Sequence, residues 1–167
     1  MKSKGEKIAL IVAIIIIITV IAVGITSVVL GIKFIKKNFK LAKEAITPDK
    51  FVALMNDEGF EVKDITDSIE ANAKKIYKAD NGKYSIKYYN FENVSEADNF
   101  YESVEKELTP KTATKEVSMS GKNYRTYTVV KSGAYTFIER VDNTVVIVQG
   151  SSSHENISKD LLKKFGY

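Results

Sequence analysis

KKIYKADNGKYSIKYYNF, residues 74–91, holds two β-rich runs on either side of Asn81-Gly82, the dipeptide favoured in the tightest β-hairpin turns. A two-residue loop at that dipeptide would pair Asp80 with Lys83, Ala79 with Tyr84 and Tyr77 with Ile86, setting opposite charges together and the less polar residues on one face. An antiparallel sheet is therefore expected, and the segments on either side say what packs on it.

Upstream, Thr47 suits an N-cap and Pro48 the first helical position, while Ile46 and Phe51 stand at the two positions of a hydrophobic staple. A helix of about ten residues is predicted from there, stopped by Gly59 and followed by a strand from Phe60 to Thr66. Downstream, Ser95 with Asp98 resembles a capping box, and Ala97, Phe100, Tyr101, Val104 and Leu108 follow at helical spacing until Pro110. Strand-like runs around 117–119, 124–130, 135–141 and 144–149 are separated by Ser120-Gly121, Ser132-Gly133 and Asp142-Asn143 and predict a meander. A last helix, His154 to Phe165, turns Ile157, Leu161, Leu162 and Phe165 inward. The expected class is α+β: one antiparallel sheet with about three helices packed mainly on one face. Hairpin followed by helix occurs twice, at 74–108 and 134–165, which raises an internal duplication.

Outside that domain the chain changes character. Ile8 to Ile32 is an uncharged run of 25 residues that includes five successive isoleucines, 14 to 18, and as a helix it would be about 37 Å long, enough for a hydrocarbon core of about 30 Å. The organisation expected is a basic tail (1–7), a transmembrane helix (8–32), a basic juxtamembrane segment (33–45) and the α+β domain (46–167). Ala22-Val23-Gly24 has the small-x-small form of a signal-peptidase site, but the apolar run continues eight residues further, which favours an uncleaved anchor. Gly24, Ser27 and Gly31 fall on one helix face and form a candidate packing surface for self-association or for another membrane protein. Lys33, Lys36, Lys37, Lys40 and Lys43 are candidate headgroup contacts, with the lipid bilayer as the expected partner. A short N-terminal tail before a long C-terminal domain favours a single-pass cell-membrane protein whose domain lies outside the cytoplasm.

The net charge of +4 belongs to these flanks. Eight lysines and two glutamates precede Ala45, which leaves 17 Lys and Arg against 19 Asp and Glu in the rest, a balance of −2. A nucleic-acid partner is not expected from such a domain. The absence of cysteine excludes disulfides, thiolate zinc sites and a thiol nucleophile.

No residues announce catalysis, and no cofactor or metal is expected. Ser151-Ser152-Ser153-His154-Glu155 gathers triad residue types, but triads are assembled from distant positions, and a capped polar turn is the simpler reading. Asp80-Asn81-Gly82 lacks the further ligands of a calcium loop. Glu96, Glu102, Glu105 and Glu107 give an acidic helix surface suited to solvent or to a basic partner. All nine tyrosines lie in the domain, where they serve as strand formers or as a binding surface. The basic tail, the Ile/Val anchor, the T-P-x-x-F-x-x-x-M helix start (Thr47 to Met55) and the S-E-A-D-N-F helix resemble uncharacterised single-pass membrane-anchored proteins of low-GC Gram-positive bacteria, a resemblance that implies no activity. The expected function is a membrane-tethered, non-catalytic binding or interaction module, extracytoplasmic and suited to be an accessory subunit of a membrane complex. The alternatives are a membrane-bound hydrolase whose carboxylates meet only in the fold, and a regulatory module facing the cytoplasm.

Overall fold

The computed structural model describes residues 42–68, 71–109 and 115–166, within a folded unit that runs from Ala42 to Tyr167. The predicted transmembrane helix, with Gly24, Ser27 and Gly31, and the lysines Lys33, Lys36, Lys37 and Lys40 lie outside the described residues. Among the described residues, no helix is long and apolar enough to cross a membrane.

Among the described residues, three α-helices and one seven-stranded sheet form the unit: α1 (Pro48–Asp57), β1 (Glu61–Asp64), β2 (Lys75–Asp80), β3 (Tyr84–Asn90), α2 (Val94–Leu108), β4 (Lys115–Ser120), β5 (Tyr124–Lys131), β6 (Ala134–Val141), β7 (Thr144–Ser151) and α3 (Glu155–Phe165). The strand order is β1-β2-β3-β7-β6-β5-β4, antiparallel throughout. Two meanders are thus joined by β3 against β7.

The hairpin lies where Asn81-Gly82 places it, but its register differs by two residues. Asp80 pairs with Ser85, Ala79 with Ile86 and Tyr77 with Tyr88. Side chains cause the longer connection. The Asp80 carboxylate accepts from the Gly82 amide at 2.9 Å, and the Asn81 amide oxygen accepts from Lys83 and Tyr84 at 3.0 and 3.1 Å, so four residues make the turn. An even shift leaves every side chain on its expected face. The α2 cap also moves: Asn93, not Ser95, accepts from the Glu96 amide at 3.0 Å, and Glu96 reaches back to the Glu92 amide at 3.3 Å. Asp98 is thereby released to pair with Arg140 at 2.9 Å.

Two of the three helices share one face of the sheet, and the third covers the other. Phe51 and Met55 of α1 and Leu161, Leu162 and Phe165 of α3 pack on one face with Ile86, Tyr88, Phe137 and Val148. Ala97 and Tyr101 of α2 pack on the other with Ile76, Tyr89, Tyr127, Ile138 and Val145. The cause is legible in the central strands, where Tyr88-Tyr89 and Val145 to Val148 are apolar at consecutive positions and so need cover on both sides. The helices that follow the two hairpins, α2 and α3, lie on opposite faces. Antiparallel neighbours related by a two-fold axis would carry them on the same face, so the ββα similarity is not a symmetry of this sheet.

Gly150 sits at the junction of the meanders, opposite Tyr84 of β3 and Tyr135 of β6. A Cβ there would lie 2.7 Å from the Tyr84 Cβ, which cannot swing away. Gly150→Ala is expected to force β3 and β7 apart and cost about 2 kcal/mol, read as a lower urea midpoint. An unchanged midpoint would contradict this packing.

Candidate binding groove

On the face covered by α1 and α3, the cover stops short of the β4 edge. Val117 and Met119 remain 40% and 48% exposed there. The register aligns two cross-strand rows beneath the opening: Val117 beside Thr128 beside Phe137, and Met119 beside Thr126 beside Glu139. Leu162, Lys159 and Lys163 of α3 form the opposite wall, and Lys43 closes one end, around a cavity of about 250 Å³.

Glu139 is fully buried at the floor of this groove. One carboxylate oxygen, Oε1, pairs with the Lys43 ammonium, while Oε2 is buried with no hydrogen-bond partner among the described residues. Burial lifts this carboxyl from 4.5 to about 7, and Lys43 opposes the shift only in part. Sequence reading assigns Lys43 to lipid headgroups. In the structure the Lys43 ammonium is paired within the fold, with the buried Glu139 carboxylate 96 residues away.

The β4–β5 turn holds Lys43 in place. Asn123 accepts from the Lys43 amide at 2.9 Å and donates to the Lys43 carbonyl at 2.8 Å, a two-bond clamp on the backbone. The same side-chain amide donates to Asp142 at 3.0 Å, and the Asn123 carbonyl accepts from Arg140 at 3.0 Å. The Lys43 ammonium also lies 4.6 Å above the Tyr124 ring. Gly121 makes room for that ring, since a Cβ at 121 would fall 2.0 Å from it.

The other candidates resolve into structure. Asp80 and Asn81 spend their side-chain oxygens on their own turn. Ser151 caps a single turn of 3₁₀ helix over Ser152–His154, the Ser153 hydroxyl bonds that of Ser151 at 3.0 Å, and the Glu155 carboxylate bonds Lys159 at 2.5 Å. The triad residue types are adjacent without forming a relay. On α2, Glu102 and Glu105 grip Arg125 at 2.8 and 3.1 Å and Glu96 caps the helix, so much of the acidic surface is engaged within the domain. Among the described residues, no group of three or more His, Asp or Glu side chains converges as a metal site. Among the described residues that line the groove, Glu139 is the one carboxylate.

Sequence reasoning missed this groove, although one signal was present. Along β6, Tyr135, Phe137, Glu139 and Val141 share a face, and the single charge in that apolar set marks a buried carboxylate.

No family model matches the chain, and no curated protein matches it. Among solved structures, the chain is similar to a crystal structure described as a GTP binding regulator from Thermotoga maritima, at 15% identity and a TM-score of 0.51, over 75% of this chain and 93% of that one. This likeness shows the fold alone.

Proposed function

We propose that the chain is a membrane-tethered, non-catalytic binding module at the cell envelope, with the groove between β4 and α3 as its binding site. One observation carries the reading: apolar walls open to solvent stand above a buried carboxylate that has one unbonded oxygen. A groove with few polar groups at fixed positions is the usual form of a site that orients a ligand. The uncharged run 8–32 would serve as the tether, with Lys33, Lys36, Lys37 and Lys40 at the headgroups and the face of Gly24, Ser27 and Gly31 available to a second span. Such an arrangement suits an accessory subunit whose domain lies outside the cytoplasm.

Two experiments on the full chain test this. The natural sequence has no cysteine, so Asn81→Cys in the β2–β3 turn gives one reporting site. Labelling of intact cells by an impermeant maleimide is the expected result. Labelling only after lysis would overturn the extracytoplasmic placement and favour the cytoplasm-facing regulator. For the groove, a photoreactive benzophenone residue at position 119 should yield an adduct in cells, while the same residue at Val94, equally exposed at 45% but on α2, should not. No adduct at 119, or equal adducts at both positions, would overturn the groove as the binding site.

A further inference from the structure

We infer that the groove takes a small neutral amphiphile, an apolar body ending in a hydroxyl or amide N–H that donates to the free oxygen of Glu139. This rests on the groove being the binding site and adds the class of ligand.

The polar end follows from the floor. Glu139 Oε2 is buried and has no hydrogen-bond partner among the described residues, and a buried acceptor of this kind is stabilised by any donor that reaches it. Val117, Met119, Phe137 and Leu162 around it recognise a hydrocarbon body and supply no hydrogen bond of their own. Thr126 and Thr128, both largely buried, add hydroxyls along the same floor.

Neutrality follows from the charges already present. Glu139 and Lys43 cancel, so a cationic head would meet the Lys43 ammonium and an anionic head the Glu139 carboxylate. The two lysines at the rim are engaged as well, Lys159 with Glu155 at 2.5 Å and Lys163 with Asp160 at 2.7 Å, so an anion would have to displace carboxylates already in place. A neutral donor satisfies Oε2 without disturbing any of these pairs.

Size follows from the cavity. At the roughly 30 Å³ that a water occupies in the liquid, about 250 Å³ holds on the order of eight heavy atoms. 1-Heptanol has that size, and its isomer hexyl methyl ether has the same formula without a donor. That pair isolates the hydrogen bond.

The test uses the full chain in lipid nanodiscs at pH 8, labelled with ¹³C at the methionine methyls. The chain has three methionines: Met119 lines the groove, and Met55, fully buried beneath α1, is the internal control. 1-Heptanol should shift the Met119 methyl signal saturably and leave Met55 in place, and hexyl methyl ether should bind at least tenfold more weakly. Equal or tighter binding of the ether would overturn the donor assignment while leaving the groove as a binding site. A Met119 signal that responds to neither compound would overturn the ligand class and the groove reading together.

Discussion

Raising the pH from 5 to 8 is expected to lower the stability of the folded domain by about 2 kcal/mol through Glu139 alone, and Glu139→Gln is expected to abolish that loss. The carboxyl sits at about 7 in the fold against an ordinary 4.5, so between those values the native state binds more protons than the unfolded chain. Stability is then fully present below 4.5, falls as the pH rises through 7 and levels off above it. Gln has the same shape and no proton to lose, which makes it the clean comparison. Asp64 works in the opposite sense: bonds from Thr66, and then from Lys75, lower it from 3.8 to about 2, so its contribution is lost only as the pH falls below about 4. The two windows do not overlap. Urea midpoints of both proteins at pH 5 and pH 8 decide the matter, and a wild-type midpoint that is level across that range would contradict a buried Glu139.

Phe51→Ala is expected to cost about 4 kcal/mol, a large share of the 5–15 kcal/mol typical of a domain. Phe51 is fully buried, and its ring stacks 4.8 Å from Tyr88, 5.9 Å from Phe165 and 6.3 Å from Tyr77, joining α1, α3 and two strands. The layer cannot close over the hole, because the Tyr88 ring is tied at its far end, where its hydroxyl donates to the Ile46 carbonyl at 2.8 Å. The damage should also reach the groove, since Ile46 is three residues from Lys43. Ile157→Ala, on an α3 side chain 57% exposed, should stay within about 0.5 kcal/mol and calibrates the comparison. A Phe51→Ala loss below about 1 kcal/mol would mean that α1 is not anchored by this stack.

Elements were more legible in the sequence than the relations between them. Thr47-Pro48, Asn81-Gly82 and the meander turns are local signals, and each lies at an element boundary in the structure. The hairpin register was not legible from the favoured dipeptide alone, because Asp80 and Asn81 bond the turn amides and lengthen the connection. That helices cover both faces is written in Tyr88-Tyr89 and Val145 to Val148, where an apolar run replaces alternation. The β3–β7 pairing and the Lys43–Glu139 pair join residues distant in the chain, and no local pattern encodes them. Lys43 follows four other lysines in a basic segment, and nothing in its neighbourhood sets it apart. The candidate site was legible only as an anomaly, one glutamate on the apolar face of β6.

The most direct test of the groove as a binding site is to isolate the full chain from the cells that make it and compare the small molecules it retains with those retained by Met119→Asp. Met119 is half exposed, so the substitution should leave the fold intact while placing a charge in the apolar wall. The expected result is a small, neutral, donor-bearing molecule held at close to one per chain by the natural protein and lost from the variant. Equal retention by both, or no molecule above the lipid background in either, would contradict it.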